Sequence, residues 1–374
     1  MERLHIAFFG ATNSGKSTLV NAICGQEVSL VSAVPGTTTD PVRKLAELPG
    51  LGPCVLIDTA GLDDTGVLGA ERERRTRAVL DETDVAVLVF GPEVPQTSPN
   101  MGRQYQKHPN IAPDVPDFGT LVAQAGIPSV TYNRGDSVEG LLKRIAAVAP
   151  HEEERFLTGS LVKAGDSVVL VMPQDSEAPK GRLILPQVQV IRELLDRGCV
   201  PHCCTPASLP AAMASLAGLP DLVITDSQVF KAVNEAIPAE CPLTSFSVLL
   251  AGAKGDIHTF VEGARTIDSL KPGSRVLIAE ACTHVPDTED IGRVKIPALL
   301  RKRIGDLQVD IAAGNDFPED LSPYSLIIHC GACVANARLV RSRIRKALLA
   351  GIPITNYGIT IAFLTGILNR ISLP

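Results

Sequence analysis

LHIAFFGATNSGKSTLVNAICG, residues 4–25, decides the N-terminal fold. Residues 4–10 form an apolar run, GATNSGKS follows from Gly10 to Ser17, and TLVNAICG has the composition of a helix. Strand, glycine loop and helix in that order make the context a phosphate-binding loop requires. The glycines allow backbone N–H groups to close around phosphates, and the N-terminus of the following helix adds positive potential. Lys16 then places a cation on the β- and γ-phosphates and Ser17 a hydroxyl on magnesium. The nucleotide-binding set expected from the loop is Gly10, Asn13, Ser14, Gly15, Lys16, Ser17 and Thr18.

Two later stretches agree with this reading. Pro35-Gly36-Thr37-Thr38-Thr39-Asp40 offers hydroxyls about twenty residues on, where a threonine closes over magnesium and the γ-phosphate; Thr38 is the expected one. VLIDTAG, residues 55–61, ends an apolar strand in Asp58 and Gly61, a D-x-x-G pattern. The catalytic set expected is therefore Lys16, Thr38, Asp58 and Gly61, with Ser17 and Thr38 as magnesium ligands and no side-chain base evident. The set resembles the translation-factor-like GTPases of the tRNA-modification type, which implies GTP and Mg2+; Asn13 matches the asparagine with which that family holds K+.

The rest of this domain, expected over residues 1–150, departs from the pattern. After DVAVLVFG, residues 84–91, a GTPase needs a helix, a strand ending in the guanine-reading N-K-x-D, a further helix and strand, and a last helix. Residues 92–118 instead carry six prolines and no periodicity, so the domain reads as shortened around 92–130. IPSVTYNRGDSVEGLLKRI, residues 127–145, reads as the final strand, a closing loop and the last helix. The alternative is that Asn133-Arg134-Gly135-Asp136 is the guanine-reading motif with arginine for lysine.

At 374 residues the chain exceeds what one core usually serves, so two or three domains are expected. A formal charge of −6 with 45% hydrophobic residues argues against a duplex nucleic-acid binder, and the absence of a long apolar run argues against a membrane span. The first residues lack a secretory pattern, which predicts a cytoplasmic protein, or one of an organelle stroma or matrix in a eukaryote. The nine cysteines are then expected to be reduced. Cys24, Cys54, Cys199 and Cys241 read as isolated small hydrophobes, and His202-Cys203-Cys204 as the end of a strand.

Beyond a polar connector at 151–163, strands and helices alternate again, predicting two further α/β domains with largely parallel sheets at 165–264 and 265–374. In the last, RVLIAEACTH runs into Cys282 and His284, and YSLIIHCGAC into His329, Cys330 and Cys333, with 44 residues between the histidines. Both groups follow strands, and open α/β sheets place their sites at strand carboxyl ends. Three cysteines and two histidines can supply the four ligands of zinc. They can also supply three thiolates to an iron–sulfur cluster, leaving one iron with another ligand.

The loop at the N-terminus, DSEAPKGRLILPQVQ, EACTH with EDIGRVKIP, and IHCGAC with GIPITNYG together resemble the FeFe-hydrogenase maturation GTPase family (HydF) across essentially the whole chain. The resemblance implies a GTPase domain, a dimerisation domain and a domain carrying a 4Fe-4S cluster. It implies a homodimeric scaffold that receives a transient diiron precursor made with radical-SAM maturases and delivers it to apo FeFe-hydrogenase. Cys282, Cys330 and Cys333 become cluster thiolates, and His284 and His329 further ligands or neighbours. Val285 stands where many relatives are expected to have a second histidine. The rival expectation is a zinc-stabilised GTPase of RNA modification or ribosome assembly.

Overall fold

Hydrophobic strands that are buried on both faces set the architecture. The computed structural model describes residues 3–25, 41–61, 69–91, 118–150, 156–174, 181, 183–281, 290–314 and 316–374, with the side chains of 69–73 left aside. The chain divides into two compact units, Met1–Glu152 and Glu153–Pro374.

In the first unit β1 (Leu4–Phe9) is followed by α1 (Lys16–Cys24), β2 (Val42–Leu48), β3 (Gly52–Asp58), α2 (Gly69–Leu80), β4 (Val85–Phe90), α3 (Phe118–Gln124), β5 (Ser129–Asn133) and α4 (Val138–Val148). The sheet order is β2-β3-β1-β4-β5. Ile6, Ala7, Phe8 and Phe9 are wholly buried because β1 is central and parallel to both neighbours, with apolar layers on each face. β2, antiparallel and at the edge, instead alternates exposed Arg43, Leu45 and Glu47 with buried Lys44 and Leu48. The α4 helix starts at Ser137, whose hydroxyl accepts the Gly140 N–H at 3.0 Å.

The second unit holds two four-stranded parallel sheets. The first is built from β6 (Ser167–Val171), α5 (Leu185–Asp196), β7 (Val200–Cys204), α6 (Leu209–Ala214), β8 (Leu222–Thr225), α7 (Phe230–Ala236) and β9 (Leu243–Ser245), in the order β7-β6-β8-β9. Two helices follow, α8 (Phe246–Lys254) and α9 (Ile257–Arg265). The second sheet comes from β10 (Arg275–Ala279), α10 (Ile296–Ile304), β11 (Gln308–Ala312), β12 (Leu326–His329), α11 (Ala337–Leu349), β13 (Ile354–Asn356) and α12 (Tyr357–Leu364), in the order β11-β10-β12-β13. A π-helical turn, Ile291–Lys295, leads into α10.

The expected α/β class with largely parallel sheets is what the chain adopts. One hydrophobic core nevertheless joins the two later sheets: Val169, Val223 and Phe230 of the first share it with Val276, Ile278 and Ile328 of the second. Ile371, near the C-terminus, bridges back to Leu243 at the edge of the first sheet. Among the described residues, no helix is long and apolar enough to cross a membrane.

Candidate functional site

At the carboxyl end of β1 the chain turns through Gly10 so tightly that a Cβ there would lie 2.3 Å from the Val89 carbonyl oxygen and 2.8 Å from Ser14 Oγ. Asn13 and Gly15 take left-handed backbone conformations, φ 63° and 97°. Gly15 thereby starts α1 without steric cost. Lys16 is buried in the loop, its Nζ donating to the carbonyls of Gly10 at 2.9 Å and Ala11 at 2.7 Å. Ser14 is buried, Ser17 half-buried and Thr18 exposed on the first turn of α1. Asp58 ends β3 in register with Phe8, and the neighbouring Thr59 hydroxyl donates to the Phe8 carbonyl at 2.6 Å. The expected loop, Asp58 and Gly61 thus gather at one end of the sheet; Thr38 lies outside the described residues.

Among the described residues β5 pairs directly with β4 and follows it in chain order, with α3 between them. It is also the last described strand of this sheet and runs into α4, the order in which the sequence reading put a final strand, a closing loop and a last helix. The Asp136 carboxylate accepts from Arg144 Nη2 at 2.9 Å and from the Asn133 N–H at 3.2 Å, so the Asn133–Asp136 turn is braced from α4.

The second site lies along the carboxyl edge of the β10–β13 sheet. Its register aligns Ala279, His329 and Asn356, so the residues one step beyond, Glu280, Cys330 and Tyr357, follow three adjacent strand ends. The Cys330 sulfur accepts the Ala281 N–H at 3.1 Å and the Ala332 N–H at 3.4 Å. Ala332 reaches this geometry through a left-handed φ of 50°, a conformation an alanine holds only against strain. Two amide donors on one sulfur favour the thiolate over the thiol, the form in which cysteine binds metal.

The loop carrying Cys330 and Cys333 is fixed from several sides. Lys254, buried at the end of α8, donates from Nζ to the carbonyls of Ala332 at 2.8 Å, Ala335 at 2.6 Å and Cys333 at 3.4 Å. Asn356 caps α12 with its Oδ1, which accepts the Gly358 N–H at 2.8 Å, and donates from Nδ2 to the Cys330 carbonyl at 3.3 Å. Ser247, also on α8, donates to Asn356 Oδ1 at 3.1 Å.

His329 is wholly buried. Arg343 Nη1 lies 3.1 Å from Nε2. Because a guanidinium only donates, Nε2 accepts, the proton sits on Nδ1, and Nδ1–H donates to the Cys330 carbonyl at 2.7 Å. Both ring nitrogens are engaged in this way, so His329 here braces the loop, the neighbour's role among the two the sequence left open for it. Burial, and then the Arg343 guanidinium beside it, push its pKa down to about 3, against the pull of the Cys330 carbonyl. Arg343 itself is buried, donating also to the carbonyls of Glu280 at 3.1 Å and Gly314, with Phe317 under its face.

Sequence reasoning assigned no role to Glu280, Arg293, Lys254, Arg343 or Tyr357. Glu280 is 1% exposed and held by Arg293 through Nε at 3.1 Å and Nη2 at 2.7 Å. Asp290 accepts the Arg293 N–H at 2.7 Å and caps the π-helical turn. Glu280, Arg293 and Tyr357 all fall within EACTH, EDIGRVKIP and GIPITNYG, so the signal was present as clustering around the cysteines. Cys282 and His284 lie outside the described residues, and among those described no group of three metal-type ligands assembles. Cys54, Cys199 and Cys241 are buried as expected, and Val200–Cys204 is a strand.

Comparison with known proteins adds three domain matches: residues 258–374 to a hydrogen maturase F tetramerization domain, 157–255 to a hydrogen maturase F dimerization domain, and 5–112 to a 50S ribosome-binding GTPase. The tRNA modification GTPase MnmE of Methylobacterium sp. (strain 4-46) is 33% identical over 174 residues, 45% of this chain and 36% of that protein. MnmE of Myxococcus xanthus (strain DK1622) is 47% identical over 92 residues, 24% of this chain and 21% of that one. The chain thus spans little more than a third, or less, of these relatives' length, and the likeness concerns the GTPase part. Among solved structures, a single-residue variant of Aquifex aeolicus Era bound to GDP.AlF4- covers 85% of this chain and 97% of its own at 15% identity and a TM-score of 0.27.

Proposed function

The chain belongs to the hydrogen maturase F family and carries a P-loop GTPase domain, and on that premise we propose that it is a scaffold and carrier in FeFe-hydrogenase maturation. It holds a 4Fe-4S cluster through Cys282, Cys330 and Cys333 and passes a diiron precursor, its cargo, to apo FeFe-hydrogenase. Radical-SAM maturases supply that cargo. The observation that carries this reading is the Cys330 sulfur at a sheet's carboxyl edge, accepting two backbone amides, in a loop pinned by Lys254. Soft thiolate donors suit iron–sulfur chemistry. With His329 engaged by Arg343, a Cys2His2 zinc set loses one of its two histidines.

When bound, the cluster supplies an iron with an exchangeable ligand. The protein's own part is to hold the Cys330 thiolate against protonation by its amide bonds, and to fix the Cys330–Cys333 loop. Glu280, neutralised by Arg293, adds no unpaired charge beside it. In the GTPase domain, Lys16, Ser17, Thr38, Asp58 and Gly61 bind the phosphates and magnesium, and Asn13 takes K+. Hydrolysis proceeds by attack of water on the γ-phosphate. The domains named for dimerization and tetramerization support self-assembly, with a homodimer as the minimal form.

The test is anaerobic reconstitution of wild type beside Cys330→Ser, assaying iron and sulfide per chain. Wild type is expected to be brown, and Cys330→Ser to lose most of its iron. Equal iron in both, or a colourless zinc-loaded wild type, would sink the assignment and favour the zinc-stabilised GTPase.

A further inference from the structure

The two sheets of the second unit share one plan. Their orders, β7-β6-β8-β9 and β11-β10-β12-β13, correspond strand for strand. Ser167 pairs with Val200 in one and Arg275 with Gln308 in the other, at the same separation along the chain. PLTS, residues 242–245, and PITN, residues 353–356, form the last strand of each and end on the residue that caps the next helix. Two open sheets have four edges, and an open edge is a row of unpaired donors and acceptors that a folded chain covers or blunts.

Three of these edges are dealt with. Helix α9 lies against β13, where a Cβ on Gly263 would sit 2.0 Å from the Ile354 carbonyl oxygen and 3.2 Å from the Ile354 nitrogen. Ile371 bridges to Leu243 on β9, and the Ser372 N–H donates to the Leu243 carbonyl at 2.7 Å. On β7 the Val200 N–H donates inward to the Asp166 carbonyl at 2.8 Å, and the Met172 N–H donates to the Cys204 carbonyl at 2.9 Å. Alternation then turns Pro201 outward, where its missing N–H blunts the edge.

β11 has none of these devices. The Gln308 N–H donates inward to the Ser274 carbonyl at 3.1 Å, and the Glu280 N–H donates to the Ala312 carbonyl at 2.8 Å. Val309 and Ile311 therefore turn their N–H and C=O groups outward, and among the described residues β10 is the one strand paired with β11. Val309 holds the register position that Pro201 holds in the other sheet. Asp310 is no charged guard, since Arg275 Nη2 holds its carboxylate at 2.7 Å and the Tyr324 hydroxyl donates to it at 3.0 Å. Ile311 is 43% exposed.

We propose that the β11 edge docks a second copy of this chain, the two β11 strands pairing antiparallel about a two-fold axis so that two four-stranded sheets become one of eight. This rests on the self-assembly reading above. A second copy fits because two-fold antiparallel pairing is self-complementary, each strand presenting the same outward donors and acceptors. β11 also lies within residues 258–374, the stretch matched to a tetramerization domain.

Full-length wild type, Val309→Pro and Ile311→Lys are compared by sedimentation over a range of concentrations, with hydrogen exchange read at residues 309 and 311. Val309→Pro copies Pro201 and leaves the ladder to β10 intact, whereas Ile311→Lys places a charge on the edge. Wild type is expected to form an assembly of twice the mass that either variant reaches. Its Val309 and Ile311 amides are expected to exchange at least about tenfold more slowly than the same amides in Ile311→Lys. Should Val309→Pro fail to fold, Ile311→Lys and the wild-type exchange decide. Equal masses in wild type and Ile311→Lys, or fast exchange at both amides within the wild-type assembly, overturns the β11 interface and leaves self-assembly to another surface. A wild type that stays monomeric at every concentration overturns both readings.

Discussion

His329 makes the C-terminal unit sensitive to acid in a way that one substitution should isolate. Its pKa is about 3 in the folded chain against an ordinary 6.5. The unfolded chain therefore binds a proton below 6.5 that the folded chain refuses until about 3. Stability from this residue is complete above pH 6.5 and falls by roughly 1.4 kcal/mol per pH unit below it. At pH 5 the loss is about 2 kcal/mol, and any folded-state value below about 4 gives nearly the same figure. Native-state hydrogen exchange of β10 and β12 amides in metal-free protein, at pH 7.5 and pH 5, measures this locally. His329→Gln cannot titrate. It should be less stable throughout, because the Arg343 and Cys330 contacts change, yet its loss between pH 7.5 and 5 should be about 2 kcal/mol smaller than wild type's. Other groups titrate equally in both proteins and cancel. An acid loss in His329→Gln within about 0.5 kcal/mol of wild type would refute the buried, neutral imidazole.

Two further perturbations follow from the same contacts. Lys254→Met removes an ammonium that binds three carbonyls of the cysteine loop; a loss of about 2–3 kcal/mol is expected, read as faster exchange at Ala335 and Asn336, and unchanged protection there would show that the loop stands without it. Gly10→Ala puts a Cβ 2.3 Å from the Val89 carbonyl oxygen, so the phosphate loop must shift; calorimetry in potassium should show GTP affinity down by roughly tenfold or more, and an unaltered affinity would mean that the loop closes on nucleotide differently.

The N-terminal loop was legible because its chemistry is local. Gly10, Gly15, Lys16 and Ser17 are adjacent, and strand, loop and helix follow one another without long-range contacts. Alternation of apolar strands with amphipathic helices likewise disclosed both later sheets. What stayed hidden was pairing between distant segments. His329 carries metal-ligand spacing, and nothing in sequence says that Arg343, fourteen residues on, occupies its Nε2. A helix lysine such as Lys254 reads as a solvated charge until α8 is packed beneath residues 332–335. The strand at 129–133 was legible as the last of its sheet, whereas its pairing with β4 was not.

The packing of α8 also bears on why the middle and C-terminal segments behave as one unit. Ser247 and Lys254 lie two helical turns apart, and both bond to elements of the last sheet: Asn356 by the first, the cysteine loop by the second. Gly358 approaches Ser247 so closely that a Cβ would sit 2.8 Å from its Oγ. The helix thus has no freedom to slide without breaking the Lys254 bonds or lifting the cap of α12. Lys254 on α8 thereby holds the carbonyl of Ala332, the residue whose own amide donates to the Cys330 sulfur. The middle segment and the cysteine loop are in that sense held together through two side chains that the hydrophobic pattern alone would have left on the surface.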